Sequence, residues 1–373
     1  MSTTNIAVIG GGIAGVTTAF HLARRGATVT VIDDGGFGQA TAASAGIIAP
    51  WVSKSDGDFY AAYAAGGNYY PEFLSQLEAL GIPELGYRRS GALMVDVDAE
   101  GIEAEYERIV SRVRDAGDVA GEVKRVAGDD VQSLFPALAS GLTGLLVTGG
   151  GRVDGRILRD AALTGAIAHG ARHLVDAVIG LEQTQTGWSV KTTTGTTMFD
   201  AVVVAAGARV MDIFDRLDMR IGVTPQRGQI VHLHLRGVNT SPWPTVHPLG
   251  DHYMTPFDGG RIAVGATRET GSGFDPRVTA AGQMSVLQKA LELAPGLGEA
   301  TLVETRVGIR PMGDDHMPVV GRVPGRDGLW VASGYGAGGL TMGPLLGDAV
   351  ARDVMGDAAP ELAPFAMPAE SVS

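Results

Sequence analysis

The chain has 373 residues, is 45% hydrophobic and has a mean hydropathy of +0.13; this excludes a disordered polymer and supplies enough apolar mass for two domains. Its 29 basic and 41 acidic residues give a formal charge of −12 with no basic run, which argues against a nucleic-acid partner and a polybasic membrane patch. With no cysteine, disulfides, thiolate metal sites, a cysteine nucleophile and a cofactor linked through cysteine are all excluded; no apolar run reaches membrane-spanning length and residues 1–5 carry no export signal, so the expected location is cytoplasmic.

Ile6-Ala7-Val8-Ile9 reads as a buried parallel strand. Gly10, Gly12 and Gly15 follow at the spacing G-x-G-x-x-G, and behind them runs a helical stripe of Ile13, Val16, Phe20 and Ala23 that Gly26 stops. In this pattern Gly10 makes the tight turn, Gly12 lets the backbone approach a pyrophosphate, and Gly15 lets helix and strand pack closely. The free N–H groups of the helix start bind the phosphate charge. A second strand, 29–32, ends in Asp33, where the acceptor for a ribose hydroxyl belongs. A carboxylate there repels a 2′-phosphate, so the ligand is FAD or NAD.

Residues 35–46 are a loop of small residues that permits close approach to a ligand. Residues 71–80 form a helix with Pro71 in its first turn and Gly81 as its stop. A strand at 91–95 precedes an amphipathic helix at 99–116, with Ile102, Tyr106, Ile109 and Val113 inward. Gly149-Gly150-Gly151 marks a boundary, followed by a helix at 155–169, a strand region at 174–181 and a hairpin strand at 188–193. The buried strand 201–204 runs into Ala206-Gly207, a second place where backbone can lie against a cofactor.

From 223 to 267 the pattern becomes antiparallel strands, with a turn at 258–260. His232 and His234 share a strand face without a third ligand nearby, which favours a polar sheet face over a metal pair. A helix at 279–294 stops at Pro295, and Arg310 sits in an apolar stretch. A buried strand, 329–333, then runs through the glycine-rich 334–341 into a helix starting near Pro344. This second helix start selects flavin over nicotinamide, because a reduced flavin carries negative charge near N1 and the C2 carbonyl that a helix N-terminus stabilises. The tail after Gly356 is expected to be frayed.

In this order the motifs resemble the FAD-dependent D-amino acid oxidase family, which includes glycine oxidase, sarcosine oxidase and D-amino acid dehydrogenase. The resemblance rests on the fingerprint, Ala45-Gly46, the run 203–207, Gly-Ile-Arg-Pro with the following Asp and Pro-x-x-Gly at 308–321, and the glycine-rich end at 334–344. It implies an α/β fold: a Rossmann-like FAD-binding domain (1–86, 150–221 and 306–361), an α+β substrate domain with a mostly antiparallel sheet (87–149 and 222–305), and a tail at 362–373. It implies non-covalent FAD held by Gly10, Gly12, Ile13, Ala14 and Gly15 at the pyrophosphate, and by Asp33 and Asp34 at the ribose. Thr41, Ala45, Gly46 and Ile47 would line the flavin side, Val178 the adenine, Ala206 and Gly207 the dinucleotide, and Gly338, Gly339, Leu340 and Thr341 the pyrimidine edge. Arg310 matches the arginine that grips the substrate carboxylate, and Tyr253 the tyrosine that shares it. Gly313-Asp314 stand where the family often has Thr-Pro, and Gly334-Tyr335 where Gly-His is common.

The implied reaction moves a hydride from Cα of a small D-amino acid or glycine to flavin N5, leaving an imine that water converts to a keto acid. An N-methylated or cyclic secondary amino acid is the alternative substrate, and a non-catalytic flavin redox module the alternative from another class. Oxygen or a quinone-type carrier is the electron acceptor, and the oligomeric state is open. Arg310 has a structural ion pair with Asp314, Asp315 or a distant acid as its alternative role, and Tyr253 a half-buried strand position. Trp51 and Tyr60 read as packing or surface residues before pocket walls.

Overall fold

The apolar run after Asn5 forms the strand Asn5–Ile9, and Ile6 to Ile9 are all buried because both faces of their sheet are covered. In the computed structural model, which describes residues 4–367, this strand lies inside a six-stranded sheet. The order is Val319–Arg322, Leu329–Ser333, Ala201–Val204, Asn5–Ile9, Thr28–Asp33 and Arg172–Val175. All neighbours run parallel, as in the registers Ile6↔Ala201 and Ile6↔Val29, except that Val319–Arg322 is antiparallel to its partner. Ile6 and Val8 pack on helices Ile13–Arg24, Gly155–Ala168 and Gly339–Val354. Ala7 and Ile9 face the other way, toward Trp188 of a three-stranded sheet and Phe214.

A nine-stranded sheet is built on the long antiparallel pair Val223–His234 and Thr301–Gly313, registered from Val223↔Gly313 to His234↔Thr301. It extends through Arg261–Gly265, Tyr253–Pro256, Thr245–Pro248 and Ala92–Asp96. One face, with Leu93, Val246, Met254 and Val264, shares a core with Val286 and Ala290 of helix Ala280–Leu293. The other carries Met94 toward Trp51 and helix Ala99–Ala116. Strand Thr301–Gly313 runs on through residue 306, where the sequence reading divides the chain.

The structure corrects four local expectations. The helix expected at 71–80 is Gly57–Glu78, with Pro71 inside it. Gly66 and Gly67 lie so close to the Thr341 carbonyl and the Pro50 ring that a Cβ would sit 2.5 and 2.6 Å away, so packing sets this helix and proline does not begin it. The helix expected to begin near Pro344 begins at Gly339. Pro344 cannot donate to the carbonyl of Leu340, and the Tyr70 hydroxyl donates to it instead at 2.6 Å. The strand region 174–181 is two strands, Arg172–Val175 and Val178–Thr184, which belong to different sheets. The expected fray after Gly356 packs down: Leu362 and Phe365 are buried in the main core, while 368–373 lie outside the described residues.

Candidate active site

One cleft runs from the C-terminal ends of Asn5–Ile9 and Thr28–Asp33 to a face of the nine-stranded sheet. That is where an open parallel sheet places ligands. Of the residues expected at the site, Gly10, Gly12, Ile13, Ala14, Asp33, Asp34, Thr41, Ala45, Gly46, Ile47, Val178, Ala206, Gly207, Gly339, Leu340, Tyr253 and Arg310 line it. Gly15, Gly338 and Thr341 do not. A Cβ on Gly15 would stand 1.9 Å from the Gly10 carbonyl oxygen, so this glycine serves helix–strand contact. A Cβ on Gly338 would meet Met342, and the Thr341 hydroxyl is buried and donates to the Ile47 carbonyl at 3.3 Å. Trp51 is core, and Tyr60 lies under the Arg112 guanidinium.

The dinucleotide half is a backbone cradle. Gly10 has φ +113°, and a Cβ there would meet Ala205 O at 2.3 Å. At Gly12 a Cβ would have only Thr41 Oγ1 for company, at 3.5 Å, so the absent side chain leaves open space at the cleft. The first helix and helix Gly339–Val354 both start on the cleft, with no acid in the first turn and a glycine N-cap. Both ends therefore present positive helix-dipole charge. Thr41 Oγ1 accepts from Ile13 N at 3.1 Å; Asp33 accepts from the backbone N–H of Gly11, and from that of Gly35 at 2.7 Å. Glycine-lined backbone, two helix starts and a carboxylate at the strand end fit an adenine dinucleotide with a second anionic centre at its other end.

The opposite end is built on strands. Arg310 is registered against Gln226, and its Nη1 donates to Gln226 Oε1 at 3.3 Å and to Thr267 O at 3.1 Å. The Tyr253 hydroxyl is a further hydrogen-bonding neighbour, and no acid lies within ion-pair distance of Arg310 among the described residues; a pairing with Asp314 or Asp315 does not form. A Cβ on Gly228 would stand 2.5 Å from Nη2, so the guanidinium lies against bare backbone. Burial pushes the Arg310 pKa down, with neighbouring Arg268 adding to the effect. Burial likewise pushes the Tyr253 phenol up, against the pull of Arg310. Both groups keep their ordinary protonation at neutral pH: a cation and a neutral hydroxyl.

Several cleft residues carried no sequence signal. Arg268, exposed, pairs loosely with Asp251 at 3.6 Å, and Lys289 holds the same Asp251 at 3.1 Å. His247 and Gly228 enter the cleft only through strand register. Tyr335, at the departure from Gly-His, lines the cleft with its hydroxyl buried and unpartnered among the described residues. Of the histidine pair, His232 is fully buried rather than on a polar face, and His234 meets the Gly259 carbonyl at 3.1 Å. Among the described residues no group of acids and histidines could hold a metal ion, and no helix is long and apolar enough to cross a membrane.

Comparison with known proteins agrees with this geometry. The family model for FAD dependent oxidoreductases (DAO) matches residues 5–352. The chain is 43% identical to the uncharacterized oxidoreductase YurR of Bacillus subtilis (strain 168), over 94% of each chain. It is 30% identical to glycine oxidase of Geobacillus kaustophilus (strain HTA426), over 97% of this chain and 96% of the relative. The crystal structure of iminodiacetate oxidase from Chelativorans sp. BNC1 superposes with TM-score 0.93 at 44% identity, over 97% and 98% of the two chains. The α/β fold with its FAD cradle is thus that of relatives that are enzymes acting on carbon–nitrogen groups, and this chain belongs to the DAO family of FAD-dependent oxidoreductases.

Proposed function

We propose that this enzyme oxidises the carbon–nitrogen bond of a small amino acid, glycine-like or of D configuration, whose carboxylate docks on Arg310. The observation that carries the reading is a half-buried guanidinium in the cleft, held at Nη1 by Gln226 and the Thr267 carbonyl, with no acid within ion-pair distance among the described residues. A guanidinium so placed fits a carboxylate by two parallel hydrogen bonds and fixes the rotation of the substrate. The neutral Tyr253 hydroxyl, beside Arg310, donates to the same carboxylate. Gly10, Gly12, Ile13 and Ala14 hold the cofactor pyrophosphate, Asp33 and Asp34 its ribose, and residues 45–47, 206–207 and 339–340 its remaining length. Bound FAD supplies the two-electron acceptor; the protein supplies orientation, charge and exclusion of water.

A second reading is favoured by Arg268. It lies on the cleft close enough to Arg310 and Tyr253 to influence both, and its partner Asp251 is already answered by Lys289. Two guanidinium groups suit a secondary amine bearing two carboxylates, such as the substrate named for the iminodiacetate oxidase relative. The deciding experiment offers glycine, D-amino acids, sarcosine, proline and iminodiacetate to the purified enzyme without oxygen and follows loss of flavin absorbance. Bleaching by none of them overturns the amino acid reading and leaves a redox module. Peroxide on readmitting air separates oxygen from a quinone-type acceptor. Bleaching by iminodiacetate that is lost in Arg268→Ala, while glycine or sarcosine is unaffected, selects the second reading.

A further inference from the structure

The strand Thr245–Pro248 lies between Ala92–Asp96 and Tyr253–Pro256, with Val246 registered on Met254 and His247 on Met94. Continuing the antiparallel register by one residue sets His247 across from Tyr253, on the sheet face opposite to that of Val246 and Met254. Both side chains line the cleft. The imidazole Nε2 is 2.9 Å from Thr245 Oγ1, and that hydroxyl also lies 3.4 Å from the Gly91 carbonyl, which takes the Thr245 backbone N–H at 3.0 Å. With the ring proton on Nε2, Thr245 Oγ1 is its acceptor and the lone pair of the ring resides on Nδ1. His247 makes no other hydrogen bond and no ion pair among the described residues. Burial lowers its pKa to about 4, so the ring is neutral at physiological pH. His232 and His252 are kept neutral in the same way, but neither lines the cleft.

We propose that His247 contacts the substrate: its Nδ1 accepts a hydrogen bond from an N–H of the substrate amine while Arg310 holds the carboxylate. The inference rests on the amino acid reading above. The amine must be neutral when it gives up electrons, and two nearby guanidinium groups already disfavour an ammonium. An acceptor that takes one amine N–H fixes the nitrogen and leaves its lone pair free to form the C=N bond. No proton passes to His247; the ammonium proton is lost to water before the amine settles. Two fixed points, carboxylate and amine, then define the third direction, that of the Cα–H bond.

The test uses the FAD-loaded enzyme and whichever substrate of the panel above reduces the wild type fastest. In His247→Leu the anaerobic flavin-reduction rate at saturating substrate is expected to fall at least about tenfold. The Kd for acetate, an acid without an amine, stays within twofold, and FAD is retained. His247→Gln, whose amide oxygen can accept, recovers part of the rate. Long-range 1H–15N spectra of the wild type are expected to show the Nε2–H tautomer. An unchanged reduction rate, an equal loss of acetate binding, or an Nδ1–H tautomer overturns the role of His247 alone. Failure of the wild type to bleach with every member of the panel above overturns the amino acid reading and this inference with it.

Discussion

At the scale of single residues, the site turns on one guanidinium that the chain leaves half answered. Gln226 and the Thr267 carbonyl hold Nη1, Tyr253 stands beside the group, and no acid pairs with it among the described residues. Arg310→Ala is expected to raise KM for a carboxylate substrate about 10- to 100-fold, with FAD still bound, because a charge-assisted pair is worth about 1.5–3 kcal/mol. Steady-state kinetics beside the flavin spectrum check this; unchanged kinetics remove Arg310 from the site. Gly228→Ala is a sharper probe. Its Cβ would arrive 2.5 Å from Nη2 and push the guanidinium off its place without touching the charge. The expected result is the same rise in KM, with a urea unfolding midpoint near that of the wild type.

At the scale of elements, the glycines of the fingerprint divide by what an added carbon would strike. Gly10 and Gly15 would strike backbone, so an added carbon there disturbs the fold, whereas at Gly12 it would enter open space on the cleft. Gly12→Leu is therefore expected to fold and to purify colourless; a yellow product with full FAD content contradicts the cradle. Helix Gly339–Val354 shows a different dependence. Its Leu340 carbonyl, left without a donor by Pro344, is satisfied by the Tyr70 hydroxyl from helix Gly57–Glu78. Tyr70→Phe leaves that carbonyl unpaired in the core and is expected to cost about 1–3 kcal/mol in urea unfolding. A loss below a few tenths of a kcal/mol would show that the carbonyl finds another partner.

At the scale of the whole molecule, stability is expected to fall on mild acidification. Burial lowers the pKa of His21 to about 3 and of His232, His247 and His252 to about 4, against an ordinary 6.5. Below pH 6.5 the unfolded chain takes up protons that the folded chain refuses, so unfolding gains ground from pH 6.5 down to about 4. Asp258, held near 2 with Arg88 and Arg152 as partners, adds a loss of the same sign below about 3.8. Urea midpoints at fixed saturating FAD should therefore drop between pH 7 and pH 5. A flat profile would mean these imidazoles take up protons in place.

The sequence by itself determined the parts that repeat over short distances. The strand, the G-x-G-x-x-G turn, the helix behind it and the acid at Asp33 lie within about thirty residues, and they state the cofactor class through local geometry alone. Helix 99–116 was legible for the same reason, since 3.6-residue periodicity needs no partner to be seen. The limits of helices Gly57–Glu78 and Gly339–Val354 were not legible, because prolines that look like starts are tolerated once distant groups satisfy the backbone. Motif resemblance singled out Arg310, but whether it stands free or paired depends on which acids fold toward it. His247 and Gly228 owe their place to strands aligned from distant stretches of the chain. Register between such strands, and the burial it imposes on charge, is a long-range outcome of packing, and only the tertiary structure decides it.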